Sequence, residues 1–229
     1  MTKLVVRKIP WEFDASVPFM WQPANPNFGL FCNAFTFIAV PFERYIDNLE
    51  ATFTPLFKVI LDNRDSLFGG GDTRVASLMM WHFVEEIEHR SSGLKLCRHI
   101  NPNPWYRVRH IRGTFNHVGK LSQSVAKTFD QVVPFGDRGV SAQQLMSNSM
   151  LFGEFRYRLP GGRRRRDGPP TLFHAVPTGE LVTMVWRLAL SQTPHHDPAD
   201  QPLPDWADAW MREYQRGSDM TAFYPTSER

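Results

Sequence analysis

The chain has 229 residues, of which 42% are hydrophobic, with 7 Trp and 18 Phe, so a sizeable core is available to one domain. The formal net charge is +3, and the four consecutive arginines at 163–166 could account for this excess, so the charge is weak evidence for nucleic acid, which we expect to be an unlikely partner. Cys32 and Cys97 have no C-x-x-C spacing, which indicates free thiols in a reducing compartment.

Two observations on the apolar stretches predict a cytoplasmic protein without a membrane partner. Residues 1–10 lack the apolar core of a secretory signal. The most apolar stretch, residues 28–42, is interrupted by Asn33 and is too short to cross a bilayer. We expect a single helical domain over residues 1–229, with an N-terminal arm (1–27), a helical core (28–155) and a C-terminal extension (156–229).

The first third of the chain predicts an irregular arm followed by interrupted helix. Four prolines in residues 1–27 prevent regular helix, and the aromatic residues between them predict an arm that lies over the core. Residues 28–63 have helical periodicity with breaks at Pro41 and Pro55. Thr54 before Pro55 predicts a cap and a new helix start.

The rest of the chain predicts further helices. A triple-glycine turn precedes Asp72 or Thr73, which caps a helix running to about residue 97. Further helices are predicted at about 105–132, 141–152, 181–190 and 206–216, with an exposed Gly/Pro/Arg loop at 160–171. Because strand-like alternation is scarce, the predicted fold class is all-α, a helical bundle.

The helix with the sequence WHFVEEIEH carries the strongest functional pattern. His82, Glu86 and His89 stand at i, i+4 and i+7, so they fall within an arc of about 60° on one helix face. Glu86 and His89 also have the Glu-x-x-His spacing of paired-metal helix bundles. Imidazole and carboxylate ligands suit iron, manganese, cobalt and zinc.

A second group of acids stands on one face of the preceding helix. Glu43, Asp47 and Glu50 have the same i, i+4, i+7 spacing. Like charges gathered on packed helices repel, and burying them costs several kcal/mol unless a cation compensates. A bound metal would compensate, and so would arginines such as Arg44 and Arg90. The alternative is a solvated helix face, and the residues alone leave both interpretations open.

Three other clusters carry weaker signals. The loop with His195, His196 and Asp197 favours a structural use over metal binding. The arginine run at 163–166 favours a solvated loop over phosphate contacts. A basic group, Arg107, Arg109, His110 and Arg112, could bind an anion or pair with the acids, and the sequence does not decide. No Gly-rich phosphate loop and no G-x-S-x-G elbow is present.

Three stretches resemble the predicted metal-dependent hydrolase family. Residues 33–46, NAFTFIAVPFERYI, are similar to its N-A-L-S-x-x-F-P-x-G-E-R-F-F stretch. Residues 81–94, WHFVEEIEHRSSGL, are similar to its most specific motif, W-x-W-H-x-x-E-E-x-E-H-K-x-x-A-F. Residues 194–206 are similar to its C-terminal F-H-P-x-D stretch. The resemblance implies a helical, ferritin-like protein of the di-metal carboxylate type.

The resemblance also implies a ligand set. His82, Glu86 and His89 match the strong motif, Glu43 matches the acid of the first, and Glu50 matches an L-E-H-F-T stretch with alanine in place of its histidine. The family's Q-E-x-x-H helix has no counterpart here, because Trp81 follows Glu43 by only 38 residues. The site would therefore bind one metal, be completed by a second subunit in a homodimer, or be degenerate.

These observations predict a metal-dependent enzyme, a hydrolase or an iron-dependent oxygenase or oxidase, that acts on a small-molecule substrate. The predicted catalytic residues are Glu86 and His89. The predicted metal ligands are Glu43, Glu50, His82, Glu86 and His89, with iron as the metal and manganese or zinc as alternatives. The rival hypothesis is a non-catalytic helical interaction protein with a degenerate site. A third, weaker hypothesis is an anion or nucleic-acid binder.

Overall fold

The computed structural model describes residues 9–42, 46–147, 154–156, 158, 170–221 and 223. Within these ranges, side chains are described except at 38–42, 46–52, 93, 96, 97, 100, 107, 147 and 205. The helices are α1 Pro26–Phe42, α2 Ile46–Asp62, α3 Arg64–Phe68, α4 Thr73–His89, α5 Ser92–Ile100, α6 Tyr106–Val132, α7 Phe135–Arg138, α8 Ala142–Ser147, α9 Thr178–Leu190 and α10 Asp205–Arg216. These ranges contain no strand, which confirms the all-α class.

Helix α2 lies at the centre of the fold and packs against α4, α5, α9 and α10. Phe57, Ile60 and Leu61 are at most 1% exposed, so the second half of α2 is surrounded by other helices. The predicted helix start at Pro55 is wrong, because Pro55 lies inside the continuous α2. Packing on several sides of α2 offsets the cost of the amide hydrogen bond that the proline ring cannot make.

Helix α4 begins where the sequence predicted it and ends earlier. The Asp72 side chain caps it by accepting hydrogen bonds from Arg74 N at 2.9 Å and Val75 N at 3.4 Å. The predicted continuation to about residue 97 is wrong, since α4 ends at His89 and α5 begins at Ser92. The break has a local cause: Ser91 and its neighbours are residues that favour caps, and the Ser91 carbonyl accepts the Lys95 amide at 3.1 Å.

The N-terminal arm lies over the helices, as its aromatic residues predicted. Trp11 meets Trp81 of α4 in a T-shaped contact with ring centroids 5.0 Å apart. Phe19 meets Phe129 of α6 in the same way at 5.8 Å. Trp21 is only 2% exposed, and its carbonyl accepts the amide of Asp72 at 2.8 Å. The arm therefore holds the beginning of α4 and one side of α6.

A second, smaller core joins α1, α6 and α8 around Leu30, Ala126 and Phe129. The predicted helix at 105–132 is confirmed as α6, and those near 181–190 and 206–216 as α9 and α10. Cys32 is buried with a free thiol, as predicted. Within the described part of the chain, no helix combines enough length with enough hydropathy to span a bilayer.

Candidate metal centre

His82 and Glu86 form the centre of the candidate site. They lie one turn apart on α4, and His82 Nε2 is 3.6 Å from Glu86 Oε1. Their side chains are 28% and 27% exposed, so both are partly buried and still reachable from solvent. The i, i+4 spacing thus brings together the two residues that the sequence singled out.

The surroundings of His82 are aromatic. The Phe35 ring of α1 lies 5.8 Å from the imidazole, centroid to centroid, and Phe83 lies 6.2 Å away. Burial lowers the pKa of His82 below its ordinary value of 6.5. The imidazole is therefore mostly neutral at pH 7, which is the protonation state that binds a metal ion.

The distance between these two donor atoms fits a shared metal ion. Metal bonds to imidazole nitrogen and carboxylate oxygen are about 2.0–2.2 Å long, which places two ligands of one tetrahedral ion about 3.4 Å apart. The 3.6 Å between His82 Nε2 and Glu86 Oε1 lies close to that value. The chemistry and the spacing of this pair therefore suit a divalent metal.

The other predicted ligand on α4, His89, does not join this pair. His89 is the last residue of α4 and its side chain is exposed. Glu88 is exposed as well, and Glu85 is half-buried. Among the side chains that the structure describes, no three His, Cys, Asp or Glu residues converge as a metal site would require. On α4 the described candidate site is thus an imidazole–carboxylate pair.

The acids of α2 lie at the edge of what the structure describes. Glu43 lies outside the described residues, and Asp47 and Glu50 belong to α2 without a described side chain. Their helical register continues through Thr54, Phe57 and Leu61, which are 0%, 1% and 0% exposed. Thr54, Phe57 and Leu61 therefore form a stripe of α2 that faces the core.

That core-facing stripe of α2 meets α4. The Phe57 and Phe83 rings stack with centroids 4.9 Å apart. Phe35 contacts Phe53, Phe57 and Phe83 as well as His82, so one aromatic cluster joins the stripe to the imidazole. Periodicity alone gave no signal for Phe35, because its position depends on how α1 packs.

The C-terminal loop with the two histidines lies against the end of α4 and against α5. Arg90 Nε donates to the Pro198 carbonyl at 3.2 Å, and Arg98 Nη2 donates to the His196 carbonyl at 2.7 Å. The Asp197 side chain accepts the Ala199 amide at 2.9 Å and so caps a short 3₁₀ helix, Pro198–Asp200. These contacts favour the predicted structural use of this loop.

The fold and the site define a helical protein with an imidazole–carboxylate pair on a half-buried helix face. Residues 45–144 match a family model described as "Predicted metal-dependent hydrolase", which confirms the resemblance. The matched range includes Glu50, His82, Glu86 and His89, and it begins two residues after Glu43. It covers less than half of the 229 residues. No curated protein and no solved structure matches the chain.

Proposed function

We propose that the chain is a metal-dependent hydrolase whose metal binds between α4 and the acidic start of α2. The observation that carries the proposal is the His82–Glu86 pair, with its donor atoms 3.6 Å apart and its imidazole held neutral by burial. The family description of residues 45–144 supports the reaction class. Asp47 and Glu50 have the sequence register that continues through the buried Thr54 and Phe57, which is the reason for adding acids of α2 to the ligand set.

The residues have distinct roles in this proposal. His82 and Glu86 would hold the metal from α4, and Glu50 of α2 and Glu43, which precedes α2 in the chain, would be the remaining ligands. These residues would hold a divalent ion, and the chemistry that such an ion would supply is the activation of water for hydrolysis. Iron is the proposed metal, with manganese or zinc as alternatives, and an iron-loaded site would also suit oxidation by dioxygen.

The aromatic side chains around His82 set the environment of the reaction. The rings of Phe35 and Phe83 lie beside the imidazole and replace part of its contact with water, which strengthens the electrostatic interactions of the site. Trp81 precedes His82 and is covered by Trp11 of the arm. We propose that the substrate is a small molecule with an apolar part that contacts this aromatic wall.

Metal retention in matched variants of α4 tests the proposal. The full-length protein and its Glu86→Gln, His82→Ala and Glu88→Gln variants are loaded with iron, manganese or zinc, desalted and analysed for metal per chain. Glu88 lies about 200° around the helix from Glu86, so its substitution is the matched control. We expect Glu86→Gln and His82→Ala to lose metal while Glu88→Gln keeps it. Equal retention in all three variants would contradict the ligand assignment.

A second candidate is a helical interaction protein with a degenerate site. The observation that favours it is that only two candidate ligands come together among the described side chains, while His89 is exposed. This candidate predicts protein without metal after loading, and an unchanged melting temperature after treatment with a chelator. The hydrolase proposal predicts a lower melting temperature after chelation, because a ligand that binds only the folded state stabilises it.

A further inference from the structure

The small net charge of the chain conceals an uneven distribution. Residues 89–129 contain eight lysines and arginines and no aspartate or glutamate, whereas the whole chain has only three more basic than acidic residues. This acid-free segment covers α5 and most of α6. A positive potential of this kind over one part of a surface attracts polyanions, even where the net charge of the protein is small.

Helix α6 arranges part of this charge in one line. A solvent-facing stripe runs along it at i, i+4, i+7, i+11, i+15, i+18 and i+22, a spacing that keeps side chains on one face. All seven of its residues are exposed. They are Trp105, Arg109, Arg112, Asn116, Lys120, Gln123 and Lys127. The stripe is about 33 Å long, from the rise of about 1.5 Å per residue.

The cations of the stripe are not used by the rest of the described structure. Within the described residues, none of the four cations of the stripe forms an ion pair. On the opposite side of the C-terminal half of α6, Phe129 is buried at 7% exposure, and Val125 packs against the same core. The C-terminal half of the helix is therefore anchored by its apolar side, and the four cations of the stripe are exposed.

Aromatic rings lie at the N-terminal end of the same stripe. Trp105 is 54% exposed and Tyr106 is 38% exposed. The Tyr106 ring lies against His110, with centroids 4.3 Å apart. Exposed aromatic rings beside a line of cations are the combination with which proteins bind single-stranded nucleic acids, because bases stack on the rings while phosphates contact the cations.

We propose that the stripe on α6 binds single-stranded nucleic acid. Phosphates contact Arg109, Arg112, Lys120 and Lys127, and a base stacks on Trp105. A membrane surface fits less well, because an interfacial helix inserts its apolar side into lipid, and on the C-terminal half of α6 that side packs in the second core. This binding is separate from the proposed metal chemistry, since none of these residues belongs to the candidate metal centre.

Fluorescence anisotropy of a labelled 20-nucleotide oligo(dT) with the full-length protein tests the proposal between 50 and 300 mM salt. Four phosphate contacts predict a slope of about −3 in a plot of log affinity against log salt. We expect Arg109→Glu/Arg112→Glu to weaken binding at least about tenfold, from two lost contacts and two new repulsions. The matched control is Arg212→Glu/Arg216→Glu on α10, which makes the same change in net charge. Circular dichroism verifies that both variants are folded.

Two further experiments distinguish single-stranded nucleic acid from other polyanions as the ligand. Trp105→Ala is expected to weaken oligo(dT) binding about tenfold and to leave binding to a duplex of the same length unchanged. The proposal is overturned if the protein does not bind oligo(dT) at 50 mM salt. It is also overturned if the two double variants lose the same amount of affinity for oligo(dT). Binding to phosphatidylserine vesicles without binding to oligo(dT) would overturn it in favour of a lipid surface. Tighter binding to duplex, with no effect of Trp105→Ala, would overturn the assignment to single strands.

Discussion

Replacing Asp130 by alanine should detach the end of α6 from α8. Asp130 accepts hydrogen bonds from Ser141 Oγ at 2.8 Å, Ala142 N at 2.8 Å and Gln143 N at 3.1 Å. It also pairs with Arg138 at 2.7 Å, where the two side chains are 12% and 9% exposed. The carboxylate therefore caps α8 and neutralises a buried guanidinium at the same time.

The expected loss for Asp130→Ala is about 3–4 kcal/mol of unfolding free energy. Removing one partner of a buried ion pair costs about 3–5 kcal/mol, and the lost cap contributes about 1 kcal/mol within that total. Arg138 keeps its bonds to the Val133 and Val140 carbonyls, which places the estimate at the lower end. Urea unfolding followed by circular dichroism at pH 7 measures the difference.

The matched control is Asp137→Ala, because Asp137 is an exposed aspartate on the neighbouring α7. Its expected loss is below about 0.5 kcal/mol, as for surface substitutions in general. A loss below about 1 kcal/mol for Asp130→Ala, or equal losses for the two variants, would refute the assigned role of Asp130.

The same loss should depend on pH. Burial acts to raise the pKa of Asp130, but the hydrogen bonds from Gln143, Ser141 and Ala142 and the charge of Arg138 lower it below its ordinary value of 3.8. A carboxylate whose pKa is lowered in the folded state contributes stability above its unfolded pKa and loses it as pH falls through the folded pKa. The difference between wild type and Asp130→Ala should therefore be constant above about pH 5 and shrink below about pH 4. A difference unchanged down to pH 2 would contradict this explanation.

Three further predictions concern the core and the candidate metal centre. Phe57→Ala removes a side chain that is 1% exposed and should cost about 3–5 kcal/mol in denaturant unfolding, whereas Val182→Ala, at 53% exposure, should cost below about 0.5 kcal/mol. Similar costs for the two would show that the ring of Phe57 is not buried. The pKa of His82, measured by NMR titration, should lie below 6.5 because the side chain is partly buried. The folded protein should therefore lose stability as pH falls through 6.5. A pKa above 6.5 would indicate that an acidic partner, and not burial, determines the protonation of His82. Gly71→Ala places a Cβ 3.1 Å from the Trp21 ring and should lower the unfolding free energy by about 1–3 kcal/mol. An unchanged unfolding midpoint would mean that the N-terminal arm moves aside.

The sequence predicted most of the helices because their signals are local. The Asp72 cap and the apolar periodicity of α6, α9 and α10 depend only on neighbours along the chain. The predictions at Pro55 and at the end of α4 were wrong for opposite reasons. Tertiary packing kept α2 continuous through a residue that local rules treat as a break, and a local run of cap-forming residues ended α4 where periodicity alone continued.

The candidate metal centre divides in the same way. The His82–Glu86 pair follows from i, i+4 spacing on one helix, so it could be predicted from the sequence. The aromatic wall around His82 could not, because Phe35 reaches it from another helix. The meeting of the α2 acids with α4 also depends on packing between helices. The structure shows that Thr54 and Phe57, further along the same register of α2, are buried.

Elemental analysis of the purified full-length protein, with protein mass determined on the same sample, tests the central claim most directly. The proposed hydrolase predicts at least about one equivalent of iron, manganese or zinc per chain, lost in Glu86→Gln and kept in Glu88→Gln. About two equivalents would indicate a complete di-metal site. Protein that holds no metal after reconstitution with each of these ions would contradict the proposed function and favour the non-catalytic helical protein.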